Sequence, residues 1–444
     1  MTPEIDAVRA LEVLDSRGDP TVRGTVESAG RAGRFTVPAG ASTGSHEASE
    51  RRDGGDRYGG RGVREAVAAV EGEIAGAVVG RAVDDQAGLD AALRDLDGTD
   101  DLRRLGANAV LGVSGAALRT AARVAGRPLY AHVARLAGDD ESVNVNDLAR
   151  TDISVPMPMI NVVSGGLHAG GGVPIQDVLV VPVGAPDYPT ALEWAWEVRR
   201  AVRERIVADG HRPLVADEGG FSPPSVERPA DAFELVRDGI AGAGFDPGAG
   251  GDLALAVDVA ATHFHDPERG AYDLGDGDPL APEAMVERAL EWVERYPIVS
   301  VEDPLAESDW AAWARFRERA PDDLQVLGDD LLVTDPERLD RALDRGAANA
   351  VLVKPNQAGT VTRALAVCRR ALAAGCNPVV SARSGETCDA TIADLAVGTG
   401  AGQIKVGSLA RSERLAKYNR LLAIDDATDA PLARFEAPPG PGSR

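Results

Sequence analysis

Of the 47 Lys and Arg residues in this 444-residue chain, only three are lysines. Lys354 closes the apolar run AVLVK, Lys405 closes GQIK, and Lys417 lies in a helical stretch where it reads as ordinary. Arginine keeps its proton under all ordinary conditions, whereas a lysine can lose one and act as a base. In a sequence so depleted of lysine, the two at the ends of apolar runs are candidates for proton chemistry. Three carboxylates hold comparable positions: Asp258 ends LALAVD, Glu302 ends IVSVE and Asp329 ends LQVLGD. Brought to one point, they repel one another and rise in pKa unless a cation joins them. The set offers oxygen alone, with no Cys or His, which suits Mg2+ better than zinc. Beside such an ion and each other the two ammoniums are disfavoured, so at least one lysine is expected to be neutral near pH 7. The chemistry that fits is proton removal from a carbon next to a carboxylate, since a metal can stabilise the dianionic intermediate.

Further candidates surround this set. Glu218, in ADEGGFSP, precedes a Gly-Gly turn and is placed to give a proton to a departing hydroxyl, with Asp177 in PIQDV as a carboxylate that tunes it. Arg383 and Ser384, in SARSGE, offer a planar fork and a hydroxyl to phosphate oxygens. Two Gly-rich segments, PAGASTGSHE and SGGLHAGGG, have the freedom to close over a substrate and exclude water. Ser42 in the first offers oxygen to a second metal, and His168 in the second offers a polar contact to phosphate. His263 and His265, two apart just past Asp258, have no evident third ligand and read as loop surface.

The elements that must carry these residues fall into two groups. EIDAVRALEV, PTVRGTVES and RFTVP are strand-like, with a hairpin turn at SAGRAG, and helical patterns follow through VREAVAAVEGEIAGAVV, DQAGLDAALRDL and NAVLGVSGAALRTAARVA. From about Ile153 short apolar runs alternate with helical segments, the pattern of a parallel β/α architecture. Seven such runs end on Glu218, Asp258, Glu302, Asp329, Lys354, Arg383 and Lys405, spaced 22 to 44 residues apart. Charged residues at the C-terminal ends of many successive strands ring the active site of a closed barrel, whereas an open doubly wound sheet gathers them at one switch point. The expected organisation is an N-terminal α+β domain over 1–138, a linker or loop over 139–152, a β/α barrel over 153–430 and a frayed tail over 431–444.

Composition narrows the function classes. A net charge of −23 disfavours nucleic acid and anionic membrane as partners, and an anionic substrate must then be met by local cations. No apolar run is long enough to cross a bilayer. The opening MTPEIDAVRALEV lacks a basic-then-apolar signal pattern, and three cysteines without paired or zinc-like spacing suit a reducing cytoplasm. No Gly-Lys pair occurs, so no Walker phosphate loop is present.

In order along the chain, LDSRGDPTV, GASTG, HAGG, DEGG, YPIVSVEDP, NQAGT, RSGET and GQIKVGSLARSERLAKYN resemble the enolase family, whose enzymes dehydrate 2-phosphoglycerate to phosphoenolpyruvate. The resemblance spans nearly the whole chain. It implies a small α+β domain on a modified β/α barrel, two Mg2+ ions per site, and a homodimer or higher homo-oligomer. By position it implies Asp258, Glu302 and Asp329 for the tight Mg2+ and Ser42 for the second. Lys354 would be the base and Lys405 would neutralise the substrate carboxylate. Glu218 would be the acid, and Arg383 and Ser384 would hold phosphate with His168 and Gln176 nearby. Two departures stand out. The family motif carries His before RSGET where this chain has Ala382, and the family's Gln-Glu is here Gln176-Asp177, one methylene shorter. KPNQ, with Pro355, is a milder variation. The metal set and the base are intact while the walls around the leaving hydroxyl and phosphate are altered. Three functions follow as expectations: a phosphopyruvate hydratase, an enolase-like biosynthetic enzyme such as carboxyphosphonoenolpyruvate synthase of phosphonate pathways, or a non-catalytic binding protein on the same scaffold.

Overall fold

The computed structural model describes residues 3–41, 44–138 and 153–436. The expected linker over 139–152 and the final APPGPGSR lie outside the described residues. Strands β1 (Ala7–Leu14), β2 (Pro20–Ser28) and β3 (Arg31–Thr36) form an antiparallel sheet in that order. Ala29 and Gly30 alone make the β2–β3 turn, both at positive φ (49° and 68°), the two-residue geometry that matches strand twist. Helices α1 (Arg64–Ala69) and α2 (Ala75–Val78) are joined by a π turn over Val70–Ile74, and α3 (Gln86–Asp97), α4 (Ala107–Val124) and α5 (Leu129–Ala137) follow. Helix α4 lies on β2 and β3, and its Gly and Ala residues let it come close. A Cβ on Gly24 would stand 2.1 Å from the carbonyl oxygen of Gly112. Thr120 on α4 ties the layers, its Oγ1 accepting from the Gly33 N–H at 2.9 Å and donating to the Val26 carbonyl at 2.8 Å.

The second part opens with β4 (Met157–Ser164) and β5 (Asp177–Val181), then α6 (Tyr188–Ala208), α7 (Pro229–Gly242) and β6 (Ala254–Asp258). A small hairpin of β7 (His265–Asp266) and β8 (Ala271–Tyr272) leads to α8 (Pro282–Arg295). Then β9 (Ile298–Glu302), α9 (Trp310–Arg319), β10 (Gln325–Gly328), α10 (Pro336–Arg345) and β11 (Ala350–Val353) alternate. The short α11 (Pro355–Ala358), α12 (Val361–Ala374), β12 (Asn377–Ser381), α13 (Thr391–Thr399), β13 (Gln403–Gly407) and α14 (Ser412–Thr428) complete the chain. Eight strands close into a barrel in the order β10-β11-β12-β13-β4-β5-β6-β9. Alternate residues such as Met157, Met159, Ala254, Ala256, Leu327 and Leu352 fill its interior, while Leu255, Val257 and Val351 face the helices, the period-two division of a filled barrel. Residues 431–436, expected as tail, run along the barrel's lower end. Leu432 and Phe435 pack on the interior cluster, and the Glu436 carbonyl accepts from Asn377 Nδ2 at 2.6 Å.

The barrel is closed as expected, and the strand assignments differ from the parallel β/α pattern at two places. Strand β5 runs antiparallel to both neighbours. Its connection from β4, residues 165–176, holds only a short 3-10 turn and no helix of the kind that usually carries the chain back for a parallel return. The run PLVADE is not a barrel strand. Leu214 is 62% exposed and Val215 makes only an isolated bridge to Phe221, so Glu218 sits in a turn and not at a strand end. The strand that belongs there is β4, buried along its whole length and therefore without the alternation that marks a half-buried strand.

Candidate active site

One end of the barrel collects the candidates. Asp258 and Glu302 are the last residues of β6 and β9, Asp329 and Lys354 directly follow β10 and β11, Arg383 and Ser384 follow β12, and Lys405 lies within β13. The reversal of β5 places its first residue, Asp177, opposite Asp258, so an antiparallel strand also contributes to this end. Residues 39–41 and 44–48 of the N-terminal domain lie against this end. Ala39 pairs with Gly385, the Ala41 N–H donates to Ser384 Oγ at 2.6 Å, and the Ala48 N–H donates to the Gln357 carbonyl at 3.0 Å. Both lysines line one cavity with His168, Gln176, Glu218, Asp258, Asp329, Arg383 and Ser384. Ser42 lies outside the described residues.

Lysines and carboxylates interleave. Lys405 Nζ donates to Asp258 Oδ2 at 2.7 Å and to Glu302 Oε2 at 2.6 Å. Lys354 Nζ donates to Asp329 Oδ2, whose other oxygen accepts from Gln357 Nε2 at 2.9 Å. Negative charge is in surplus around Glu302 and Asp330, whereas burial of Asp329 is outweighed by Lys354, which brings it below its usual value. Burial and the neighbouring Asp258 carry Glu302 well above the ordinary carboxylate range, and burial with Asp329 carries Asp330 to about 8. Burial works against both ammoniums, but Asp329 holds Lys354 above its usual value, and Asp258 with Glu302 holds Lys405 well above it. The expectation of a neutral lysine is therefore not met by the protein's own groups. Each lysine is at present the counter-ion of the carboxylates beside it.

The residues present fit a hard divalent cation. The buried Glu302 Oε1 and Gln176 Oε1 have no hydrogen-bond partner, and the donor atoms are oxygens in a site short of positive charge. The three expected ligands are not gathered as a bare triad, because Lys405 stands between Asp258 and Glu302. Asp329 instead has oxygens within 4.8 Å of those of Asp303 and Asp330. Asp303 spends both oxygens on the backbone N–H groups of Asp329 and Asp330, at 2.9 and 2.8 Å, so it braces the turn that presents them. Asp303 and Asp330 went unrecognised in the sequence because each is the second acid of an adjacent pair, where one residue of the two usually faces water.

A relay of three groups forms the opposite wall. His168 Nδ1 lies 2.9 Å from Asp177 Oδ2, and its Nε2 lies 3.8 Å from Glu218 Oε1. Asp177 was expected to tune Glu218 directly. It is engaged instead by His168, Asn161 and Ser164, and the imidazole stands between the two acids. Burial opposes charge on His168, but Asp177 and Glu218 outweigh it and raise its pKa to about 9. Burial alone would raise Glu218, yet His168 and Arg414 bring it down to about 2. Between His168 and Glu218 the proton therefore rests on His168, while burial also raises Asp177 against the pull of His168. Arg414, fully buried on α14, also donates to the carbonyls of Arg383 and Ser384 at 2.6 Å each and so fixes the loop after β12. Ala382 lines the cavity with a methyl group only, its N–H donating to the Lys405 carbonyl at 2.9 Å.

His263 is exposed, as the loop-surface reading expects, yet it also borders the cavity. Ala261–Phe264 is a 3-10 helix, so the two histidines do not share a face. His263 lines the cavity while His265 stacks on Tyr272 with ring centroids 4.6 Å apart. Glu47 was not recognised either. It lies in the Gly- and Ser-rich segment, where an acid reads as solvated, yet it is buried against Arg383.

Comparison with known protein families gives two matches. The model described as Enolase, N-terminal domain covers residues 5–133, and that described as Enolase, C-terminal TIM barrel domain covers residues 152–435.

Proposed function

This chain belongs to the enolase family, and on that premise we propose that it is a Mg2+-dependent lyase that removes the C2 proton of 2-phosphoglycerate, or of a close analogue, to give a phosphoenolpyruvate-type product. The observation that carries the proposal is the buried interleaving of Lys354 and Lys405 with Asp329, Asp258 and Glu302, both lysines lining one cavity with Asp258 and Asp329. Asp258, Glu302 and Asp329 would hold Mg2+, with Ser42 for a second ion, and when bound the metal would supply the positive charge that stabilises a dianionic intermediate. Lys354 Nζ gives up one proton to solvent once Asp329 no longer requires it as counter-ion, and the neutral amine then takes the proton from C2. Lys405 neutralises the substrate carboxylate. Arg383 and Ser384 hold the phosphate, with Gln176 and His168 at the adjoining wall. His168 Nε2 stores the proton for the leaving hydroxyl and passes it by way of Glu218, which cannot donate while it is ionised. The substrate is a small phosphorylated carboxylate, neither nucleic acid nor membrane takes part, and the enzyme works in the cytoplasm as a homodimer or higher homo-oligomer.

A second reading is favoured by two specific observations. Ala382 presents no polar group to the cavity, and Asp177 is bonded to His168 and not to Glu218. Both changes fall on the side of the leaving hydroxyl and the phosphate. An enolase-like biosynthetic enzyme, such as a carboxyphosphonoenolpyruvate synthase, would keep proton abstraction and use the intermediate differently. One assay separates the readings. In Mg2+ and deuterium oxide, growth of phosphoenolpyruvate absorbance at a rate normal for primary metabolism supports a phosphopyruvate hydratase. Exchange at C2 of 2-phosphoglycerate with little net dehydration supports the biosynthetic enzyme. No exchange, no turnover and no Mg2+ binding would leave a non-catalytic scaffold. Lys354→Ala should lower exchange by about 10²- to 10⁴-fold, the usual worth of a positioned base. Unchanged exchange in that variant would remove Lys354 as the base.

A further inference from the structure

Arg383, the residue proposed above to hold phosphate, is itself held. It is buried at 4% exposure, and Glu47 from the other domain meets it end-on, with Nη1 at 2.9 Å from Oε2 and Nη2 at 3.2 Å from Oε1. The same carboxylate accepts from Gln357 Nε2 at 3.2 Å and from the Gly44 N–H at 2.9 Å. Gln357 in turn donates to Asp329 at 2.9 Å. One side chain of the N-terminal domain therefore touches the loops after β11 and β12 and, through Gln357, the carboxylate after β10.

A guanidinium carries five N–H donors in one rigid plane. An end-on carboxylate uses two of them and fixes both the plane and its rotation. The remaining donors then point in directions set by Glu47. A flexible arginine would have to lose side-chain freedom on meeting an anion, and here that ordering is already present in the folded protein.

We propose that Glu47 is the positioning residue for the anion site, holding the Arg383 fork in the orientation that receives a substrate phosphate. The role rests on the phosphate-binding assignment of Arg383. It gives the N-terminal domain a direct part in substrate recognition, since Arg383 belongs to the barrel and the carboxylate that meets its guanidinium end-on does not. Removing this contact leaves the two domains joined. The Ala39–Gly385 pairing, the Ala41–Ser384 bond and the Ser45–Glu307 contacts are independent of Glu47.

The test is a double-mutant cycle read by calorimetric titration of inorganic phosphate into the Mg2+-loaded protein. Glu47→Gln keeps the shape and an acceptor oxygen and removes the charge that aligns Arg383. It should weaken phosphate binding about tenfold or more, while the affinity for Mg2+ alone stays within about twofold. Arg383→Gln should weaken phosphate binding at least as much. If Glu47 acts through Arg383, the double variant binds phosphate no more weakly than Arg383→Gln alone. Losses that multiply in the double variant, or a Glu47→Gln protein that binds phosphate as the wild type does, would overturn the positioning role and leave the functional reading standing. A wild-type protein that binds no phosphate would overturn this role together with the phosphate half of that reading.

Discussion

At the scale of single residues, the three lysines show what a sequence bias reveals and what it hides. Lys354 and Lys405 were legible as chemical residues because each closes an apolar run in a chain that uses arginine elsewhere. Lys417 was not, because its setting is tertiary. It is fully buried on α14, and its Nζ meets Glu386 Oε2 at 2.7 Å, the Glu413 carbonyl at 2.9 Å and the Thr387 carbonyl. Three acceptors around one point match the three protons of a compact ammonium, which a planar guanidinium cannot imitate. Lys417→Met should therefore leave Glu386 buried and unpaired and cost about 3–5 kcal/mol in urea unfolding. A loss under about 1 kcal/mol would show that the cluster relaxes without it. His168 gives a second test at this scale. Its pKa is raised from 6.5 to about 9, so its contribution is fully present below pH 6.5 and lost as pH rises through about 9. The shift corresponds to roughly 3 kcal/mol. Denaturation midpoints measured from pH 6 to 10 should fall across that window, and the fall should be absent in His168→Gln. A wild-type profile flat from pH 7 to 10 would place the relay's proton elsewhere.

At the scale of elements, legibility followed a charge at the end of an apolar run. The six barrel strands read through Asp258, Glu302, Asp329, Lys354, Arg383 and Lys405 show that contrast. Strand β4 ends on Ser164 and β5 carries its charge, Asp177, at its start, so Leu214 and Val215 of PLVADE, both exposed, took their place in the sequence. The reversal of β5 could not be read from residue pattern, since direction depends on how the short 165–176 connection closes. That reversal matters for the site, because it brings Asp177 and Gln176 to the same end as the C-termini of the seven parallel strands. The N-terminal elements were legible through alternation and the Ala-Gly turn, but the closeness of α4 to the sheet was not. Gly24→Ala tests that closeness. The added methyl would meet backbone atoms of Gly112 at 2.1 and 2.5 Å, and neither partner can rotate away. Overpacking of this kind costs about 1–3 kcal/mol or more. The variant should unfold at lower urea than the wild type, and equal midpoints would mean that sheet and helix slide apart freely.

At the scale of the whole molecule, the charge balance and the metal proposal meet. The net charge of −23 reads from the sequence as a solvated acidic surface, and much of it is, with arginine–carboxylate pairs spread over the exposed helices. What composition does not show is that part of the negative charge is buried at one end of the barrel. Asp258, Glu302, Asp303, Asp329 and Asp330 are each at most 7% exposed, with Lys354 and Lys405 their nearest ammoniums. A site built this way resists folding in proportion to its crowding and gains when a divalent cation binds only the folded form. A ligand at a hundred times its Kd stabilises the native state by about 2.7 kcal/mol. Mg2+ should accordingly raise the unfolding midpoint over that in chelator. Glu302→Gln supplies the opposite signature. It keeps the side-chain shape and removes one crowded charge while leaving Lys405 its bond to Asp258. In chelator its midpoint should equal or exceed that of the wild type, and the rise with Mg2+ should be lost. A structural role alone would predict a lower midpoint in chelator and an unchanged response to metal. A wild-type midpoint that ignores Mg2+ at millimolar concentration would remove the ion from the proposed chemistry, and with it the means by which Lys354 is released from Asp329 to act as a base.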